Sequence, residues 1–344
     1  MCGIAGFVGK GTLDDLKRMT DRIAHRGPDG EGHWQEGDIF LGHRRLSIID
    51  IDGGAQPMWT ADDRLGIVFN GEIYNHGELR KELAAKGHKF QSDHSDTEVL
   101  LHGYREWGEA LPERLNGMWA FAIFDRDAQR LFLSRDRFGQ KPLFYSEQNG
   151  LFSFASELTA LTAHRQITGN VSQKALQKYF AYGYIPAPHS IYREVRKVPG
   201  GHNLYFDLAS GRCEVRKYWD YVIDPFEKIP ANPEEEWGEQ LRELLGAAVD
   251  RRLMSDVPLG IFLSGGIDSS AIAWFAQQAR STPVQTFAIG FEEASFDESK
   301  YARMVAEHVG SEHHLGRLSA VDAQHLAPTI APKLDEPMGD SSLV

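Results

Sequence analysis

The pattern that most restricts the fold lies in the last third of the chain. There, short apolar runs alternate with helical periods: residues 259–263, 269–279, 284–289, 301–309 and 313–315 read as strand, helix, strand, helix, strand. Parallel neighbours need a crossover, so this order predicts a parallel sheet covered by helices. A further helix is expected just before it. Asn232 stands at its cap, Pro233 in its first turn and Glu234, Glu235 and Glu236 at its positive end. Its expected apolar face runs through Trp237, Leu241, Leu244, Leu245, Ala248 and Val249.

The first 216 residues follow other rules. Thr12 and Asp15 have capping-box spacing ahead of Leu13, Leu16, Met19 and Ile23, which recur at helical intervals. Asn75 with Glu78 opens a second helix that Gly87 closes, and Ser95 with Glu98 opens a third. Runs at 119–124, 130–134, 143–145 and 151–154 are separated by turn formers and predict an antiparallel meander. The stretch 218–233 is aromatic and proline-bearing and has neither period. The expected organisation is therefore a first domain over 1–216, a connection over 217–233 and a second domain over 234–344.

Bulk properties narrow the function classes. At 344 residues, two domains can each bury a core. A net charge of -12 disfavours nonspecific binding to nucleic acid, which needs a basic surface. The apolar runs are too short to span a membrane, and the N-terminus lacks a basic leader with an apolar core, so a cytoplasmic location is expected. Two cysteines, Cys2 and Cys213, do not make a disulfide framework. Small-molecule partners fit this profile best.

Cys2 follows the initiator methionine, and a residue that small permits removal of Met1, leaving the cysteine's own α-amine free. An α-amine titrates near about 7.7–8.0 and can accept the thiol proton without a histidine. If the substrate is free glutamine, a zwitterion, its carboxylate needs a cation and its ammonium a carboxylate. Arg45 offers a planar fork and Asp96, at the start of the third helix, a carboxylate. Asn70-Gly71 offers a side-chain amide and a backbone N–H for the oxyanion of a tetrahedral intermediate. Each fragment also has an ordinary alternative: Cys2 as a structural thiol, Arg45 in a surface ion pair, Asn70-Gly71 as a hairpin turn, Asp96 as a helix-start charge.

Six strings occur in order: Met1-Cys2-Gly3-Ile4-Ala5-Gly6, His25-Arg26-Gly27-Pro28-Asp29-Gly30, Arg45-Leu46-Ser47-Ile48, Phe69-Asn70-Gly71-Glu72-Ile73-Tyr74-Asn75, Ser95-Asp96-Thr97-Glu98 and Arg135-Asp136-Arg137-Phe138-Gly139-Gln140-Lys141-Pro142-Leu143. Together they resemble the class II glutamine amidotransferases. The resemblance implies an α+β N-terminal-nucleophile sandwich (αββα), with Cys2 as nucleophile and Asn70 and Gly71 as the oxyanion hole. It further implies Arg45, Leu46, Ser47, Ile48, Ile49, Asn70, Gly71, Glu72 and Asp96 as the glutamine-binding set, with the loop 26–30 lying over the site.

Leu263-Ser264-Gly265-Gly266-Ile267-Asp268-Ser269-Ser270 follows an expected buried strand and opens an expected helix. Backbone N–H groups of such a turn converge on an anion, glycines let it approach, and serine hydroxyls add donors. With no Gly-Lys-Ser or Gly-Lys-Thr ending, pyrophosphate grip fits better than transfer of the γ-phosphate. The string resembles the Ser-Gly-Gly-x-Asp-Ser loop of the ATP pyrophosphatases. That implies ATP at Leu263, Ser264, Gly265, Gly266, Asp268, Ser269 and Ile289, with Mg2+ held in part by Asp268.

Amidotransferase first and pyrophosphatase second, the chain resembles the glutamine-dependent asparagine synthetase family over nearly its whole length. The resemblance implies three substrates, glutamine, aspartate and ATP, and a homodimer, which no residue pattern here fixes. The family continues beyond the segment Asp335-Glu336-Pro337-Met338-Gly339-Asp340-Ser341-Ser342 with a second glycine-rich acidic loop. The expectation is thus a complete glutaminase half followed by a partial α/β parallel-sheet domain, C-terminally incomplete. Two other readings stay open: an amidotransferase for a different carboxylate acceptor, and a non-catalytic chain that associates with a complete subunit.

Overall fold

Twelve strands in the first part of the chain form two antiparallel sheets in the computed structural model, which describes residues 1–224, 228–293, 295 and 297–340. In chain order they are β1 (Gly3–Val8), β2 (Gly30–Glu36), β3 (Ile39–Arg45), β4 (Met58–Trp59), β5 (Leu65–Ile73), β6 (Gly117–Asp125), β7 (Arg130–Arg135), β8 (Phe144–Gln148), β9 (Leu151–Ala155), β10 (Val195–Lys197), β11 (His202–Asp207) and β12 (Cys213–Lys217). One sheet has the order β10-β8-β9-β1-β3-β2 and the other β12-β11-β7-β6-β5-β4.

Burial explains the layering. Ile4, Leu41, Val68, Phe124, Leu133 and Phe154 fill the space between the sheets. Phe7, Leu16, Met19, Phe40 and Leu161 pack the outer face of the first sheet under helices α1 (Leu13–Arg22) and, further along the chain, Leu158–Thr162. Val99, Leu100, Phe121 and Phe132 pack the outer face of the second under α2 (His76–Ala85) and α3 (Asp96–Trp107). The result is the four-layer αββα sandwich that the resemblance implies. Numbering the remaining helices in order gives α4 (Leu111–Arg114), α5 (Leu158–Thr162) and α6 (Gln173–Tyr182).

Several local expectations hold and others do not. Thr12 and Asp15 form the capping box at α1. Asn75 and Ser95 occupy the cap positions of α2 and α3 without a side-chain cap bond. The Asn75 amide instead joins Arg114 O (3.0 Å) and Asn116 N (2.9 Å), and Glu98 takes the N–H groups of Gln91 (2.7 Å) and Ser92 (2.8 Å). The expected meander is two hairpins. β6 pairs with β7 in one sheet and β8 with β9 in the other, because the braced turn between Arg135 and Phe144 carries the chain from sheet to sheet.

The chain divides into two compact units, Met1–Tyr221 with Leu334–Asp340, and Val222–Lys333. Within the first, the Asp335 carboxylate accepts the opening N–H groups of α5 from Leu158 (2.6 Å) and Thr159 (3.0 Å), and Glu336 accepts from Ile191 N (2.7 Å). Residues 225–227 of the expected connection, and Ser341 and Ser342 of the closing string, lie outside the described residues.

The second unit holds α7 (Pro233–Arg251), β13 (Gly260–Phe262), α8 (Ile267–Gln278), β14 (Gln285–Phe291), α9 (Ser299–Val309), β15 (Glu312–Leu318) and α10 (Ala320–Ile330). Its three strands are parallel, as the alternation predicts. The expected apolar face of α7 is a correction. Val249 is buried, but Trp237, Leu241 and Leu244 are 50%, 64% and 70% exposed, since within this unit α7 packs through its C-terminal half onto α8. Asn232 stands at its cap without a side-chain bond; Glu236 reaches back to its N–H instead (3.3 Å).

The inter-sheet core carries the stability of the first unit. Phe124→Ala, at a fully buried position there, is expected to cost about 3–5 kcal/mol in urea unfolding.

Candidate active site

Cys2 sits at the head of β1, a central strand flanked by β9 and β3. The pairing Gly3↔Arg44 brings the end of β3 alongside it, and the segment after β3 then reaches the thiol. Leu46 N–H donates to Cys2 Sγ at 3.3 Å, and the thiol points back at Leu46 O at 3.6 Å. Burial pushes the thiol above its ordinary pKa, with the Leu46 N–H and the nearby terminal amine acting in the other direction. The terminal amine, here that of Met1, is pushed down by burial, opposed by the Cys2 charge and assisted by Arg26 and Lys141.

The cleft at Cys2 is lined by Arg45, Leu46, Ile48, Ile49, Asn70, Gly71, Glu72 and Asp96. The fold thus gathers nearly the whole expected set. Ser47 is the exception; it is absent from the lining, and its N–H goes to the Asp29 carboxylate (2.8 Å). That bond, with Asp29 N to Arg45 O (3.0 Å) and Arg26 Nε to Cys2 O (3.0 Å), ties the 26–30 loop to both sides of the cleft.

Asn70 and Gly71 are not a hairpin turn. They lie inside β5, paired with Ala120 and Trp119 of β6. Asn70 is 1% exposed, and neither its Nδ2 nor its Oδ1 has a hydrogen-bond partner. An unmet buried amide costs about 1–3 kcal/mol, which a fold tolerates where a ligand completes the bonding. A Cβ on Gly71 would lie 2.2 Å from Met118 O, so only glycine fits there.

Asp96, at the start of α3, is 7% exposed and accepts Ile73 N (3.1 Å). Burial pushes its carboxyl up, against the charge of His76. A ligand ammonium would relieve that cost. Arg45 gives NH1 to Ile51 O (2.6 Å) and NH2 to Asp50 O (2.6 Å), so a ligand carboxylate would share this guanidinium with the loop it braces.

Three contributors were not singled out by sequence. Gln56 joins the site's elements, accepting Phe69 N (2.6 Å) and donating to Thr97 Oγ1 (3.2 Å). Lys141 lines the cleft while 3% exposed. His43 in β3 donates Nε2–H to Phe69 O (3.1 Å), linking the two sheets one residue before Asn70. Lys141 lies inside the string from Arg135 to Leu143; His43 and Gln56 lie outside all six strings.

In the second unit, Leu263, Ser264, Ser269 and Ile289 line a single cavity. Gly265 has φ +84, and a Cβ there would meet the Tyr301 carbonyl carbon at 2.5 Å. Ser264 Oγ and Ser269 Oγ are 2.9 Å apart, and α8 begins without a side-chain cap, leaving its first-turn N–H groups open to an anion. Gly266 and the exposed Asp268 stand at that helix start, outside the cavity lining. Among the described residues no group of three or more His, Cys, Asp or Glu is placed to hold a metal ion, and no helix is long and apolar enough to cross a membrane.

The fold is that of a glutamine amidotransferase domain: the family model for that domain matches residues 1–219, and the asparagine synthase model matches 240–344. The chain is 37% identical over 363 residues to asparagine synthetase [glutamine-hydrolyzing] 3 of Bacillus subtilis, covering 97% of this chain and 57% of that one. It is also 37% identical to a putative asparagine synthetase [glutamine-hydrolyzing] 2 of Methanocaldococcus jannaschii, covering 99% and 70%. The chain belongs to the glutamine-hydrolysing asparagine synthetase family. It spans little more than half the length of the Bacillus relative. A solved allosteric regulatory enzyme of purine biosynthesis shares the fold at 16% identity, with a TM-score of 0.51 over 92% of this chain and 80% of that one.

Burial holds the His43 imidazole near a pKa of about 3, against 6.5 when exposed, so the folded protein keeps it neutral where the unfolded chain takes a proton. Its contribution is fully present above 6.5 and is lost as pH falls toward 3. Between these limits it makes stability fall by about 1.4 kcal/mol per pH unit. Urea midpoints across that range should show His43→Gln lacking this component of the slope.

Proposed function

We propose that residues 1–216 are a glutaminase domain, joined through 217–233 to a synthetase domain over 234–344, and that the chain acts in glutamine-dependent asparagine synthesis. The observation that carries the first half is the buried, unpartnered Asn70 amide lining the same cleft as the Cys2 thiol.

The chemistry follows from the geometry. With Met1 removed, the Cys2 amine takes the thiol proton and the sulfur attacks the side-chain amide carbon of glutamine. Asn70 Nδ2 and Gly71 N–H hold the oxyanion, while Arg45 takes the substrate carboxylate and Asp96 with Glu72 its ammonium. The protonated amine gives its proton to the departing nitrogen, which leaves as ammonia. Water then cleaves the thioester, releasing glutamate and restoring the thiol. A reducing, cytoplasmic setting suits a nucleophile that must stay a free thiol.

In the second half, the 263–270 loop would bind ATP. The residues fit: Gly265 in its left-handed conformation, the paired Ser264 and Ser269 hydroxyls and the uncapped start of α8 make an anion cradle. Asp268 supplies one hard oxygen, and Mg2+ commonly takes one or two carboxylates with the remaining ligands from phosphate and water. Bound there, ATP would transfer its adenylyl group to the side-chain carboxylate of aspartate with release of pyrophosphate, and ammonia would displace AMP to give asparagine.

Two measurements test this. Ammonia release from glutamine should vanish in Cys2→Ala and fall by about 10²–10³ in kcat in Asn70→Ala with little change in KM; unchanged release from Cys2→Ala would end the glutaminase reading. Mg·ATP binding by calorimetry should be lost in Gly265→Val, and retained affinity would move the nucleotide elsewhere.

A further inference from the structure

The string from Arg135 to Leu143 has no role in the chemistry above, yet it is heavily braced. Asp136 is fully buried, and its carboxylate accepts the N–H groups of Trp119 (3.2 Å), Phe138 (3.2 Å), Gln140 (2.8 Å) and Lys141 (2.9 Å). Arg135 donates to the carbonyls of Gly139 (2.7 Å), Lys141 (2.7 Å) and Val198 (2.6 Å). Two charged side chains are thus spent on backbone groups. What the turn delivers to the cleft is one side chain, Lys141.

That side chain is an unusual tenant. It is 3% exposed, and its Nζ lies 2.8 Å from Met1 Sδ, a neutral and weak acceptor. Burying an ammonium against a thioether is costly unless the charge serves something nearby. Removal of Met1 takes that sulfur away and leaves the Lys141 ammonium in the cleft that Cys2 also lines.

We propose that Lys141 is a positioning residue of the glutaminase chemistry, its ammonium standing beside the N-terminus to hold the Cys2 amine in its neutral, proton-accepting form. The inference rests on the glutaminase reading above. A fixed positive charge disfavours a second one next to it, so an amine there gives up its proton more readily. In the chain that retains Met1, the charge of Lys141 acts downward on the Met1 amine. Burial lowers the lysine's own pKa, and Arg26 adds to this while Asp136, Glu72 and the Cys2 thiol oppose it.

The charged groups facing this point come from several elements. Arg26, in the turn after α1, bonds Cys2 O, is paired with Glu157 (2.7 Å), and acts on the terminal amine in the same sense as Lys141. Asp29 in the loop before β2 acts on the amine in the opposite sense. Arg45 and Asp96 act mainly on the thiol, in opposite directions. The described bond of Lys141 is to an uncharged atom, the Met1 sulfur.

The test uses the full chain with Met1 removed. Glutamine hydrolysis is followed as a function of pH in the parent, Lys141→Met and Lys141→Arg. The acid limb of kcat/KM should move up by about one pH unit in Lys141→Met and return in Lys141→Arg. Superposable profiles, or a uniform loss at every pH without a shift, would overturn the inference and leave the glutaminase reading standing. A parent that releases no ammonia would overturn both. Should Lys141→Met fail to fold, 15N titration of the Cys2 amine in the parent and in Lys141→Gln decides. A midpoint higher in Lys141→Gln than in the parent supports the role, and equal midpoints refute it.

Discussion

The first unit depends on the antiparallel register of β1 against β3. Gly3 opposite Arg44 sets Cys2 beside the residues that follow β3, and the Leu46 N–H then closes on the sulfur at 3.3 Å. Slipping that pairing by one residue would turn every side chain of β1 to the opposite face. Phe7 would lose its place under α1, and Ile4 its place between the sheets. Core packing and placement of the thiol are therefore one constraint. The sandwich holds the thiol in position because it cannot bury its own apolar faces any other way.

The surroundings of that thiol are left electrostatically incomplete. Asn70 has a buried amide with no partner, Asp96 a carboxyl raised by burial, and Lys141 an ammonium against a thioether. Each is a local cost met by the rigidity of β5, α3 and the 135–141 turn. Under the proposed glutaminase reading, a zwitterionic amide substrate would supply what two of them lack, an oxyanion for Asn70 and an ammonium for Asp96. Such a site would be more complementary to a bound, reacting ligand than to water, which is the arrangement that lowers a barrier.

Much of this was legible where a local signal and a tertiary role coincide. The Thr12 capping box formed because both of its bonds are local. The strand–helix alternation beyond Leu259 gave a parallel sheet because crossovers leave few other solutions. Asn70-Gly71 was open between hairpin and oxyanion site on its own; its place inside β5 rules out the hairpin. Sequence misjudged features fixed by distant partners. Nothing in the 119–154 spacing reveals that β7 and β8 belong to different sheets, since the turn that separates them is held by Asp136 and Arg135. Periodicity marked the apolar stripe of α7 but not what covers it. Gln56 sits in no recognisable string, and its role arises from reaching both Phe69 and Thr97.

The central claim is that one residue supplies both nucleophile and base at an amide-cleaving site. The most direct measurement is to treat the chain, with Met1 removed, with an electrophilic glutamine mimic and locate the adduct by peptide mass spectrometry. The account requires a single adduct on the Cys2 sulfur, suppressed by glutamine and absent from chains that retain Met1. Modification at Cys213 instead, or none at either thiol, would contradict it.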